Sequence, residues 1–308
     1  MQVIIRKVGD TIRPSRLIPR VIKSQIEKMV FNFTAPQIKE HVLLHRKLGG
    51  SPVFCIVHWN APDFLLLTVS QIEFLYPNSK IYVLDNGSQQ PNIDAIEKGL
   101  ERFNNITLFV APNWATRIGA DRLLYSHTKG LQFLLNYAAK QRDEIVVFLD
   151  QDCMLSANID DLFTKLGRNV ILIGPRYGGR YNLVHASFMI LQPKRINQFF
   201  GKFSFFHEHT NGPEPYHGLS FKAKGKILFL DSKSHNKIPS LSSYSIQGGT
   251  PFAWHACYSS RTVGLSAKTL VDGAYPVSYL QEVRKLSFEY MKQIHKETID
   301  RGLTIGNK

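Results

Sequence analysis

Asp150 and Asp152 close the apolar run Ile145-Val-Val-Phe-Leu149, with Gln151 alone between them. Two carboxylates this close repel, and a divalent cation relieves the repulsion. A cation held in this way commonly grips a diphosphate. The run ahead of the acids lacks polar alternation, as in a parallel strand covered on both faces. The acids then fall at the carboxyl end of that strand, where open α/β sheets gather their ligands. The plain alternative is a solvated turn that happens to contain two acids.

The elements that must position this pair are legible upstream. Pro52 to His58 reads as a strand, Trp59 to Asp63 as a loop, and Pro62 opens a helix to about Tyr76. Lys80 to Asp85 reads as a second strand that ends in the turn Asn86-Gly87. A helix from Pro91 to about Phe103, a strand over Ile106 to Val110 and a helix from Ala120 to Ala139 follow. Leu124, Leu131, Leu134 and Ala138 form the buried stripe of the last helix. Strands alternating with helices predict an α/β fold with a doubly wound, mostly parallel sheet flanked by helices. Beyond Asp152 the pattern loosens. Strands are expected over Val170–Gly174, Leu183–Gln192 and Lys226–Asp231, a loop region over 201–220, and a closing amphipathic helix from Ser278 to about Arg301.

The 308 residues carry 44% hydrophobic and 20% charged side chains, which is enough to bury a sizeable core. No apolar run approaches the roughly 20 residues that span a bilayer, and the amino terminus has no secretory h-region. Cys55, Cys153 and Cys257 are odd in number and scattered, so no disulfide framework is expected and a cytoplasmic setting fits. The net charge of +14 favours anionic partners. Residues 1–50 hold ten Lys/Arg against three Asp/Glu, an excess of seven, and read as a basic appendage. Within it Ile18, Ile22, Ile26 and Met29 recur at helical spacing, a face for docking on the protein's own core or on the inner face of an anionic membrane. No basic tract interleaved with stacking aromatics is present, so nucleic acid is not an expected partner.

Phe54-Cys-Ile-Val-His-Trp-Asn-Ala-Pro-Asp63, then Ile81-Tyr-Val-Leu-Asp-Asn-Gly-Ser88, then Phe148-Leu-Asp-Gln-Asp152 is an ordered set. It resembles the family 2 glycosyltransferases of the GT-A fold over roughly residues 51 to 235. The resemblance implies a nucleotide-sugar half over 51–155, an acceptor half over 156–260 and a helical extension over 261–308. It implies a nucleotide-sugar donor, with His58, Asn60, Pro62 and Asp85 around the nucleoside and Arg117 adding positive charge. For Asp85 the alternative is a turn-forming Asp before Asn-Gly. Asp150 and Asp152 match the family's Asp-x-Asp, which implies Mn²⁺ or Mg²⁺ on the donor diphosphate, with His255 or His235 completing the metal shell. Tyr258 and Arg261 resemble the family's aromatic-plus-Arg segment after the core, which contacts phosphate or merely packs.

The implied acceptor is a hydroxyl of a glycan, a glycolipid or a polysaccharide precursor. The implied base of an inverting reaction is Glu214, with Glu208 and His217 as alternatives. Pro215 stands where the family's second acid is usual, which leaves retention open. Other readings of the paired acids are a haloacid-dehalogenase-like phosphatase, a nucleotidyltransferase, or a basic binding protein without turnover. In the first of these Met154 stands where a Thr or Val is usual, and the triphosphate loop of the second is absent. His207, His209 and His217 form a further cluster but lack the His-Glu-x-x-His spacing of a zinc site.

Overall fold

The computed structural model describes residues 39–42, 52–111, 122–177, 183–200, 225–238, 241–256 and 277–306. The chain divides into two compact units, Met1–Ile38 and Lys39–Lys308. The first unit, with the expected helix near residues 18–29, lies outside the described residues, as do Arg117, Glu208, Glu214, His217, Tyr258 and Arg261.

The second unit is an α/β fold. Its centre is four parallel strands in the spatial order β4 (Ile106–Val110), β3 (Lys80–Asp85), β2 (Val53–His58), β5 (Val146–Asp150). All six residues of β2 are buried, so its apolar run reflects cover on both faces. The connecting helices are α1 (Pro62–Leu75), α2 (Gln90–Leu100) and α3 (Arg122–Lys140). Pro62 occupies the first turn of α1, where its missing N–H costs nothing. The sheet grows from β2 through β3 to β4, then continues with β5 on the other side of β2. That reversal places the topological switch point between the carboxyl ends of β2 and β5.

The second half is built differently. β9 (Phe188–Leu191) pairs antiparallel with β5 and with β7 (Leu172–Tyr177), and β8 (Leu183–Val184) pairs with β7. The first half of β10 (Ile227–Ser234) runs parallel to β7. Its second half turns away to pair with β11 (Leu241–Ser245), and β11 pairs with β12 (Ala253–Ala256). β12 then pairs with β6 (Cys153–Leu155), the strand directly after Asp152. The second half of the chain thus returns to the acids that end the first. β1 (Lys39–Val42) pairs with β4, so residues assigned by sequence to the basic appendage are an edge of the sheet.

Short helices α4 (Asp160–Phe163) and α5 (Pro193–Phe200) link the strands of this half, and α6 (Val277–Gly306) closes the described chain. α6 packs on α1. Phe288 lies 5.0 Å from Phe64, and Arg284 Nη2 donates to both carboxylate oxygens of Asp63 at 2.7 Å. Met154, Leu241, Ala256, Met291 and Ile294 fill the space beneath it. The segment read as a separate helical extension is therefore a wall of the same core.

Close packing is sharpest at Gly174 in β7. A Cβ there would sit 2.4 Å from Val184 Cγ1 and 2.8 Å from the Phe188 carbonyl oxygen, which belongs to the backbone and cannot swing aside. Gly174→Ala is expected to lower stability by about 1–3 kcal/mol, read as a lower urea midpoint. An unchanged midpoint would mean that the β7–β9 contact is looser than described.

Candidate active site

The loops after β2 and β3 are locked together by buried polar groups. His58 Nδ1 donates to Asp85 Oδ2 at 2.8 Å, while His58 Nε2 accepts the Ala61 N–H at 3.0 Å, which fixes the neutral tautomer with its proton on Nδ1. Asp85 Oδ1 accepts the N–H groups of Gly87 and Ser88 at 3.1 and 2.9 Å, and Oδ2 also accepts the Ser88 hydroxyl. A carboxylate offers about four acceptor positions, and here the protein fills all of them. Asp85 thus caps its own Asn-Gly turn, the alternative considered from sequence, and both His58 and Asp85 are fully buried. Asn60 takes a left-handed φ of 50°, which Asn tolerates, and its Oδ1 accepts from Gln89 N and Asn92 Nδ2. His58, Asn60 and Asp85 fix the shape of the crevice wall, and Pro62 starts the helix behind it.

At the end of β5 the chain turns sharply into β6. Gln151 points toward β2, where its Oε1 accepts Trp59 N–H at 2.7 Å and its Nε2 donates to Trp59 O at 3.2 Å. Thr68 of α1 donates to Gln151 O. Asp150 and Asp152 flank this anchored residue. The Asp152 carbonyl accepts Ala256 N–H at 2.9 Å, and the β12–β6 register sets His255 beside Cys153. His255 Nε2 thereby comes to lie 3.4 Å from Asp150 Oδ2 and 3.4 Å from Asp152 Oδ1.

Hydrogen-bond direction fixes what His255 presents. Ser187 N–H donates to His185 Nδ1 at 3.2 Å, so that nitrogen carries a lone pair. The Ser187 hydroxyl, 2.8 Å from the same nitrogen, must donate to it and accept from the Tyr244 hydroxyl at 2.6 Å. Tyr244 in turn accepts from His255 Nδ1 at 3.1 Å. The proton of a neutral His255 then sits on Nδ1, and its Nε2 lone pair faces the two carboxylates. Three acceptors converge on a position that demands positive charge, met by a second proton on His255 or by a cation.

The same position shows in Asp150. Burial opposes ionisation of its carboxyl, yet the imidazoles of His127 and His255 outweigh burial and hold it well below the usual carboxylate range. Asp150 Oδ1 is closed off from solvent, and His127 Nε2 lies 3.1 Å away from it. The ligand atoms of Asp150, Asp152 and His255 all lie within 4.8 Å of one another. Atoms bound about 2.1 Å from one ion are roughly 3.0–3.4 Å apart at octahedral or tetrahedral angles, so the 3.4 Å spacings accommodate a divalent cation.

His235 is not brought to this group. Its Nδ1 accepts the N–H groups of Lys237 and Ile238 in the β10–β11 turn, and its ring packs 4.8 Å from Tyr290. Sequence reasoning missed His127, although it lies on the α3 stripe with Leu131, Leu134 and Ala138, where a polar residue is out of place. It also missed Tyr244 and Ser187, for which the sequence holds no signal, since their partners lie 11 and 57 residues away.

No protein-family profile and no curated protein sequence matches the chain. Among solved structures, an active-site mutant of LgtC overlaps 75% of this chain and 94% of its own at 13% identity and a TM-score of 0.48. The galactosyltransferase LgtC in complex with donor and acceptor sugar analogues overlaps 76% and 95%, also at 13% identity, with a TM-score of 0.45. Mannosyltransferase PcManGT from Pyrobaculum calidifontis, in complex with GDP-Man and Mn²⁺, overlaps 94% and 86% at 11% identity and a TM-score of 0.43. These likenesses are too distant to assign a substrate or a residue role, so the chemistry has to be argued from the side chains.

The Tyr244 hydroxyl is the outer partner that orients His255. Tyr244→Phe is expected to weaken Mn²⁺ binding by about 10- to 100-fold while leaving the fold intact, measured by calorimetric titration. Unchanged affinity would mean that the Tyr244 hydroxyl does not orient His255 toward a metal.

Proposed function

We propose that the protein is a metal-dependent glycosyltransferase. It moves a sugar from a nucleoside diphosphate to a hydroxyl of a glycan, glycolipid or polysaccharide precursor. The observation that carries this reading is the convergence of Asp150, Asp152 and His255 beside the switch point of a parallel sheet. Asp150, Asp152 and His255 would hold Mn²⁺ or Mg²⁺, which when bound acts as a Lewis acid on the donor diphosphate. His127 offsets the charge of Asp150, and Tyr244 with Ser187 keeps the His255 lone pair directed inward. The nucleoside lies against the loops that His58, Asn60 and Asp85 fix, with Pro62 behind them, and Arg117 adds positive charge for phosphate. Glu214 is the proposed base that takes the proton from the acceptor hydroxyl in an inverting reaction, with Glu208 and His217 as the alternatives. The basic segment 1–50 is the proposed contact with an anionic membrane surface. Among the described residues no helix is long and apolar enough to cross a membrane.

Two measurements test this reading. A nucleotide sugar with Mn²⁺ should raise the melting temperature of the wild type, since a ligand at 100 times its Kd adds about 2.7 kcal/mol. Asp152→Asn should abolish that gain while melting normally by itself. Retained metal-dependent stabilisation in Asp152→Asn, or its persistence in excess chelator, overturns the metal-held diphosphate.

The second measurement concerns proton transfer. Glu214→Gln keeps the shape and one acceptor oxygen of the side chain, so donor binding should survive while kcat falls by about 10²- to 10⁴-fold. Transfer at the wild-type rate moves the base to Glu208 or His217, or makes the reaction a retaining one that needs no such base, and Glu208→Gln and His217→Asn then separate these outcomes.

A further inference from the structure

A second concave site lies apart from the acid cluster. A cleft of about 630 Å³ opens between the β10–β11 turn, β12 and α6. One wall is aromatic. Tyr290 sits edge-on to His235 at 4.8 Å and to Trp254 at 5.1 Å, and all three rings are only partly buried. Rings locked against one another meet a ligand with little loss of rotamer freedom. Around them stand the exposed Lys233 and Lys237 and the polar side chains of Asn236 and Ser243. None of Asp150, Asp152 and His255 lines the cleft. Strand alternation explains the separation, because Trp254 and His255 are successive residues of β12 and face opposite sides of it.

We infer that this cleft binds an acidic oligosaccharide. A pyranose ring has an apolar C–H face and an equatorial belt of hydroxyls. The aromatic wall takes the first through dispersion and weak C–H contacts. Asn236, exposed in the β10–β11 turn, takes the second through hydrogen bonds. Lys233 and Lys237 take a carboxylate on the sugar through charge-assisted hydrogen bonds. The volume falls within the roughly 300–1,000 Å³ of sites that enclose small ligands. A nucleic acid would call for a basic groove that tracks successive phosphates, and the lining holds two lysines. The inference deepens the proposed function by naming an acidic acceptor class and rests on it for that purpose. Sugar binding in the cleft is measurable without it.

The test uses the full chain without added metal, with hyaluronan tetrasaccharide as the acidic probe and chitotetraose as the neutral one. Saturation transfer from aromatic protons to hyaluronan tetrasaccharide is expected, with preference over chitotetraose by titration calorimetry. Tyr290→Ala should weaken binding by about 2- to 10-fold, and Tyr290→Phe should restore it. Lys237→Glu, on an exposed turn where folding is not at stake, should weaken hyaluronan binding and spare any chitotetraose binding. Asp152→Asn should bind hyaluronan tetrasaccharide as the wild type does. A wild type that shows no metal-dependent donor stabilisation yet binds the sugar would overturn the proposed function and leave this site standing. The inference is overturned if neither oligosaccharide receives saturation, if chitotetraose is preferred, or if Tyr290→Ala and Lys237→Glu bind hyaluronan as the wild type does.

Discussion

Two carboxylates one residue apart at the end of a buried strand demand positive charge, and much of the structure follows from meeting that demand. Gln151 is pinned to the Trp59 backbone on one side, which leaves Asp150 and Asp152 no way to turn apart. The second half of the chain then brings β12 back against β6 and sets His255 Nε2 at 3.4 Å from both acids. His127 approaches from α3, so the acids are met by two imidazoles from different parts of the chain. The repulsion of two carboxylates is a local destabilisation that the fold tolerates because the sheet on both sides holds it in place.

The parallel core was legible from sequence because its signals are local. The runs over Val53–His58, Lys80–Asp85, Ile106–Val110 and Val146–Asp150 each carry their own apolar pattern and turn residues, and the observed bounds differ from the expected ones by a residue or less. The strands that finish the site carry no such pattern. β6 has three residues and β12 has four, too few for a period to show. What makes them strands is pairing across about a hundred residues, which depends on loop closure and on burial against Leu155 and Ala253 rather than on propensity. The same distinction separates the acids, readable as a motif, from the relay Ser187–Tyr244–His255, which exists only once β11, β12 and the turn before β9 have come together.

His58 and Asp85 show how a motif residue can act at one remove. The resemblance placed them on the nucleoside. In the structure a neutral imidazole and a saturated carboxylate bind two loops into one rigid wall. Buried polar networks of this kind are effective when every member is satisfied, because a missing partner costs a full desolvation penalty. Loops fixed before a ligand arrives remove an entropic cost from each encounter. Spacing alone does not reveal such a network, because it joins residues 27 and 3 positions apart through side chains.

β12 joins the acid cluster and the aromatic cleft through a single peptide unit. Trp254 faces the cleft and His255 faces the acids, while their backbone groups pair with β11 and β6. A shift of the strand large enough to bring Trp254 onto a ligand would carry His255 with it, because neither the register nor the pleat lets one side move alone. The outward-facing ring is braced by Tyr290 of α6, and the inward-facing imidazole by Tyr244 of β11. Opposed bracing of this sort favours one fixed strand position over a sliding one. The physical consequence is that one short, braced strand holds the Trp254 ring and the His255 imidazole at a fixed separation on its two faces.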